Sequence, residues 1–333
     1  MTDWRKFPKL ELHLHLEGAA PPSLVRRMAA EKGLDMTGVF DETGRYNSND
    51  FTSFLRTYER VSTVFTTPDD YRILTEAVLT ECAAHGVIYA EVFLSPTSLG
   101  YDLGKWTDYL AAIEEGADRA EAAHGIIARF IPVAIRHHGP EQAVIGAKTM
   151  MSAPRGRMTG FGIAGDERLH QPRDFAPAFQ AMADAGFRLT AHAGEFGGAE
   201  SVRAALDDLK VERIGHGVRA AEDPDLLVRL AAESQVLETC PGSNVSLGVY
   251  PDLASHSIGA LTAAGVKCTV STDDPPFFHT DMTAEYEGLE ATFAMGEAQF
   301  ARFARTAVQA AFCEPEVKAK LTAHLDKAGV PGA

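Results

Sequence analysis

The chain has 333 residues, 45% of them hydrophobic and 23% charged, and 46 acidic against 31 basic side chains give a net charge of −15. This is ordinary globular usage at a length that suits one α/β barrel, and the acidic balance argues against nucleic acid or an anionic membrane surface as partner while leaving neutral or cationic small molecules. The opening Met-Thr-Asp-Trp-Arg-Lys lacks the apolar core of a signal peptide, no run of about 18 apolar residues is present, and Cys82, Cys240, Cys268 and Cys313 show no CxxC spacing, so a reducing cytoplasm is the expected setting.

In chain order, the first expected strand carries Glu11-Leu-His-Leu-His-Leu-Glu-Gly18, in which Leu10, Leu12, Leu14 and Leu16 alternate with Glu11, His13, His15 and Glu17. Successive strand residues face opposite ways, so the two histidines share one face and the leucines pack on the other. A helix capped by Ser23 runs to Lys32, and 34–49 reads as loop. Helices follow over 50–65 and 68–85, the second opened by Pro68-Asp69-Asp70. Then strands at 87–94, 126–135, 159–164, 187–191, 211–215, 235–239 and 266–271 alternate with helices at 107–123, 141–151, 174–185, 199–209, 223–233 and 254–264. Three more helices are expected over 283–328. Eight strands separated by helices argue for a parallel sheet closed as a (β/α)8 TIM-type barrel with additional helices, one domain over 1–333; a doubly wound open sheet is the main competitor.

The polar clusters fall repeatedly at the C-terminal end of a strand: His13 and His15, Gly165-Asp166-Glu167, His192 with Glu195, His216, and Asp273-Asp274. Singly each has a bland reading as core histidine, turn or cap. In a barrel these ends converge on the face where active sites lie, and the joint reading wins. His13, His15, His192 and Asp273 supply the imidazole and carboxylate donors that Zn²⁺ takes. A catalytic metal keeps a place for water and lowers its pKa. Glu195 is then a free carboxyl suited to proton transfer, His216 either accepts a proton from that water or holds the hydroxide, and Asp274 orients the water or binds a ring nitrogen. His137 and His138 read as rim, and His170 and His279 as surface or lid residues.

Glu-Leu-His-Leu-His-Leu-Glu-Gly (11–18), Ala-Gly-Asp-Glu (164–167), His-Ala-Gly-Glu (192–195), Arg-Ile-Gly-His-Gly (213–217), Cys-Pro-Gly-Ser-Asn (240–244) and Ser-Thr-Asp-Asp-Pro (271–275) together resemble the adenosine and adenine deaminase family of metal-dependent amidohydrolases. The resemblance implies one zinc and hydrolytic loss of ammonia from C6 of a 6-aminopurine. It implies that Glu195 protonates N1, His216 assists the attacking hydroxide, Asp274 contacts N7 and the Gly165 backbone contacts N3. His15 and Glu17 also fall on the substrate side. Glu17 stands at a ribose-binding position where the family's adenosine-acting members usually carry Asp and its adenine-acting members Glu, which weighs against a nucleoside, while Ala164–Glu167 looks like the adenosine-acting branch, and Gly242 replaces a larger residue and is expected to enlarge the pocket. The main expectation is adenosine to inosine, with 2′-deoxyadenosine; adenine or a modified adenosine-type nucleoside is the alternative. From other classes, a non-deaminating amidohydrolase or an inert purine-binding protein remains. The oligomeric state and the native metal are left open.

Overall fold

In a computed structural model, which describes residues 2–48, 51–96 and 102–332, eight parallel strands form one sheet in the order of the chain. They are β1 (Lys9–His15), β2 (Val87–Leu94), β3 (Ile127–Ile135), β4 (Gly160–Ala164), β5 (Arg188–Ala193), β6 (Arg213–His216), β7 (Val236–Thr239) and β8 (Lys267–Val270). Between β1 and β4 lie α1 (Pro22–Lys32), α2 (Phe51–Ser62), α3 (Pro68–Ala84), α4 (Trp106–His124) and α5 (Pro140–Met151). Then come α6 (Ala176–Asp184), α7 (Ala199–Asp208), α8 (Pro224–Ala232), α9 (Pro241–Ser246) and α10 (Ile258–Ala263). After β8 stand α11 (Pro275–Phe278), α12 (Met282–Phe293), α13 (Glu297–Ala310) and α14 (Pro315–Lys327).

The sheet curls until β1 meets β8. That seam is narrow: Leu14 bridges Asp273, the Asp273 N–H donates to the His13 carbonyl at 3.1 Å, and the His15 N–H donates to the Asp273 carbonyl at 3.0 Å. The (β/α)8 expectation is therefore met. Each strand interior is nearly all buried, because the barrel lumen packs one face and the helices the other. No helix among the described residues is long and apolar enough to cross a membrane.

Local signals explain most helix ends. Thr67 and Asp70 form a reciprocal capping box at the start of α3, with Pro68 in the first turn. The Asp223 carboxylate accepts from Asp225 and Leu226 to open α8. Gly33 and Gly125 end α1 and α4 in left-handed conformation. Elsewhere the local reading is corrected. Pro21, not Ser23, precedes α1, and Ser23 lies inside the helix. The helix expected at 254 begins at Ile258, because Asp252 caps a separate 3₁₀ turn over Leu253–Ser255. Short α9 and α11 fall where no element was expected; each opens on a proline whose fixed φ suits a first turn. The expected loop end at 49 and helix start at 50 lie outside the described residues, as do the domain's terminal residues 1 and 333.

One departure in β1 bears on the site. Its pairing with β2 slips by a residue between Glu11 and Leu14, a bulge that breaks strict alternation. Glu11 accordingly leaves the histidines' company and bonds to the Thr272 N–H at 2.9 Å and to Cys82 of α3. Burial, only partly offset by the Thr272 hydrogen bonds, pushes the Glu11 carboxyl up to about 7.

Candidate active site

The five predicted clusters do meet at the C-terminal ends of the strands. His13 and His15 come from β1, His192 from β5 and Asp273 from just past β8. All four are buried, with one ligating atom from each lying within 4.8 Å of the others. His15 Nε2 and His192 Nε2 are 3.1 Å apart, and Asp273 Oδ1 lies 3.2 Å from His15 Nε2 and 3.4 Å from His13 Nε2. His13 Nε2 is buried without hydrogen-bond geometry to any partner. Burial first, then the neighbouring imidazoles, holds His192 well below the usual histidine range. Two neutral imidazole nitrogens facing each other beside a carboxylate, with an orphaned third, fit a shared divalent cation.

Backbone strain marks the same place. His216 has φ 58° and Asp273 φ 69°, a left-handed conformation that costs a non-glycine residue on the order of 1 kcal/mol or more. The seam hydrogen bonds and Ser243, whose Oγ donates to Asp273 Oδ2 at 2.7 Å, hold the aspartate there.

Behind the donors runs a buried ionic chain that the sequence reading missed. Glu238 of β7 takes His13 Nδ1 at 2.9 Å on one oxygen and the Arg213 guanidinium at 2.5 Å on the other; Arg213 reaches on to Glu91 of β2 at 2.5 Å. All three are fully buried. The Glu238 bond holds the His13 ring with Nε2 toward the other donors, the usual way a metal-ligating histidine is oriented. Glu238→Gln is expected to weaken zinc binding about 10–100-fold; competition against a chromophoric chelator measures it. Arg213 keeps Glu91 in that variant, so the fold should survive.

Glu195 lies after β5 and is buried. Its Oε1 has no hydrogen-bond partner, and Oε2 is 3.7 Å from His216 Nε2. Burial, and then the charges of Asp273 and Glu167, raise its carboxyl well above the usual range. Asp274 behaves alike: Oδ1 is buried and unpartnered, and burial with Asp273, Glu195 and Glu17 pushes the acid well up. Glu167, which the sequence placed in a cluster without a role, clamps the Glu195 loop. Its carboxylate accepts the N–H groups of Gly194 (2.6 Å), Glu195 (3.0 Å), Phe196 (2.8 Å) and Gly197 (2.7 Å), and the Ser201 hydroxyl.

These groups open on a cavity of about 320 Å³. His15, His192, Glu195, His216, Asp273, Asp274 and Gly165 line it; so do His137 and His138, which are exposed at its rim. Gly165, at φ 90°, leaves its backbone bare toward the cavity. One wall is apolar and comes from α2, where Phe51, Phe54, Leu55 and Tyr58 recur at helical spacing. That spacing was visible in the sequence but is equally that of a core face. Glu17 does not line the cavity: it is buried, and Tyr71 Oη donates to its Oε1 at 3.2 Å. Gly242 does not enlarge the cavity either. The Glu285 carboxylate fills that space, accepting the Gly242 N–H at 3.1 Å, and a Cβ there would fall 2.1 Å from Glu285 Oε1. His170 and His279 are exposed and off the cavity lining.

A second group of His216, Cys240 and Asp273 is close enough to share an ion. Asp273 belongs to both groups, and the first adds a fourth donor that the second lacks. The four-donor set is the better fit.

The sequence pattern of adenosine deaminase matches residues 8–328. This chain belongs to the adenosine deaminase family. It is 47% identical over 318 residues to a protein of Rhizobium johnstonii named adenine deaminase, covering 95% of this chain and 98% of the relative. The crystal structure of an adenine deaminase from Arthrobacter aurescens superposes with a TM-score of 0.88 at 31% identity, over 96% of this chain and 98% of that one. An amidohydrolase from Burkholderia ambifaria with bound zinc superposes at 0.86 and 28% identity, covering 98% and 93%.

Proposed function

We propose that this family member is a zinc-dependent hydrolase that releases ammonia from C6 of free adenine. The observation that carries the reaction class is the pair of buried, unpartnered carboxyl oxygens, Glu195 Oε1 and Asp274 Oδ1, on one cavity with the four metal donors. Both acids are held toward their protonated forms. A neutral 6-aminopurine presents ring nitrogens that are acceptors, so two carboxylic acids aimed into the cavity are complementary to it where carboxylates would not be.

A divalent ion held by His13, His15, His192 and Asp273 would supply a water of lowered pKa, hence a nucleophile at neutral pH. Glu195 gives its proton to N1, which draws electron density from C6 and makes it electrophilic. As the water oxygen bonds to C6, the Glu195 carboxylate takes up the water's proton and returns it to the amino nitrogen, so that the C6–N bond breaks with loss of ammonia and the 6-oxo product forms. Asp274 donates to N7 and fixes the ring in plane. The Gly165 backbone meets N3. Glu195, Asp274 and the four donors are all buried, which strengthens each of these interactions.

The substrate reading shifts from the nucleoside expected from the sequence to the base. Support comes from the near full-length likeness to proteins named adenine deaminase. It also comes from Glu17, which accepts from Tyr71 Oη and is not among the residues lining the cavity. Ammonia release should be measured from adenine, adenosine, 2′-deoxyadenosine and a 5′-modified adenosine, with metal content determined on the same sample. Adenine is expected to be turned over far faster than the others. Preference for a nucleoside would return the assignment to adenosine, and no release from any would sink the deaminase reading.

A further inference from the structure

We infer that His216 is held as an Nε2–H donor toward the reacting centre by a chain of hydrogen bonds running from the Ile258 backbone N–H through His256 and Asn244. The direction follows from its fixed end. A backbone N–H can only donate, and that of Ile258 donates to His256 Nδ1 at 3.1 Å. His256 Nδ1 therefore carries no proton, and its own proton sits on Nε2. That N–H faces Asn244 Oδ1 at 3.1 Å, which orients the amide and leaves its NH₂ group toward His216. Asn244 Nδ2 lies 3.4 Å from His216 Nδ1. An NH₂ can only donate, so His216 Nδ1 is the acceptor and the proton is on Nε2, on the side of Glu195 and the donor set.

All three side chains are buried. The opposite tautomer would set an Nδ1–H against the Asn244 NH₂, two donors face to face. Burial holds His256 down to about 4, so it stays neutral and the chain keeps its polarity.

Two consequences follow for a deaminase, and they rest on that reading of the site. His216 is a hydrogen-bond donor to the attacking oxygen, stabilising charge that develops there, and is not the base that takes its proton. It also has no lone pair left for a cation, since Nδ1 is engaged and Nε2 is protonated. This explains why His216, packed with its ring 4.7 Å from that of His13, stands outside the ligand set. Asn244 and His256 are positioning residues.

The test reads the tautomer directly. Long-range ¹H–¹⁵N spectra of the imidazoles in the full-length protein, with and without zinc, should show neutral His216 protonated at Nε2. Asn244→Asp replaces the Asn244 donor to Nδ1 by an acceptor, and should move the His216 proton to Nδ1. In the same variant kcat should fall roughly 10²-fold or more with KM little changed, as when a wrong tautomer is imposed on a catalytic histidine. His256→Leu, which frees the amide to rotate, should lose about tenfold, and His256→Gln, which restores a donor, should recover most of it. An Nδ1–H signal in the wild-type protein overturns the inference, as does Asn244→Asp with unchanged kcat. If Asn244→Asp fails to fold, the wild-type spectrum decides alone. No substrate enters that measurement, so failure of the deaminase reading would leave the tautomer assignment standing.

Discussion

Glu195→Gln should keep its metal and its fold yet lose about 10²–10⁴ in kcat. The side chain is not among the four donors, so metal content should match wild type. Its backbone is held by Glu167 regardless of what the side chain carries. What disappears is a proton that can leave: a glutamine amide can hydrogen-bond to a ring nitrogen but cannot protonate it. The magnitude is that of one positioned general acid. KM should change little, because the hydrogen bond persists in the ground state and the lost interaction belongs to the transition state. Steady-state kinetics with metal analysis on the same preparation checks this, and a variant retaining a tenth of wild-type kcat would show that another group delivers the proton.

Chelation should abolish turnover altogether and lower the melting temperature, with both restored by zinc. His192→Ala should behave as the chelated protein and should not recover. The stability effect has a physical basis in mass action: a ligand bound only by the folded state adds about 4 kcal/mol when its free concentration is a thousand times Kd. The donors sit on β1, β5 and beyond β8, so an ion there ties elements from across the barrel. Calorimetry with and without added zinc measures the shift. A melting temperature indifferent to zinc would mean that these residues hold no ion.

Much of this was legible in the sequence because the chemistry is written where strands end. The barrel follows from eight alternations of strand and helix, and His13, His15, His192 and Asp273 share its top by topology. What escaped was the support beneath them. Glu91, Arg213 and Glu238 each sit as one charge within a buried strand. Such residues announce that they are paired, but not with whom, since their partners lie 25 and 122 residues away. Glu167 looked like a site residue and proved to hold one. Gly242 invited an argument from its missing side chain, yet α12 fills that space from about 40 residues downstream. Glu11 followed the alternation on paper and left it at a bulge, which single-sequence periodicity does not foresee.

The narrow seam between β1 and β8 has a consequence for how the protein is made. Its hydrogen bonds pass through His13, His15 and Asp273, so the join between the first strand and the last is also where donors from both ends of the chain come together. A growing polypeptide presents the two N-terminal histidines early. The aspartate emerges about 260 residues later, roughly ten to fifty seconds behind at ordinary synthesis rates. Until then a nascent chain offers cations only a loose two-imidazole clasp. Stable loading must wait until Asp273 has left the ribosome, so a product truncated before that residue never acquires the four-donor set.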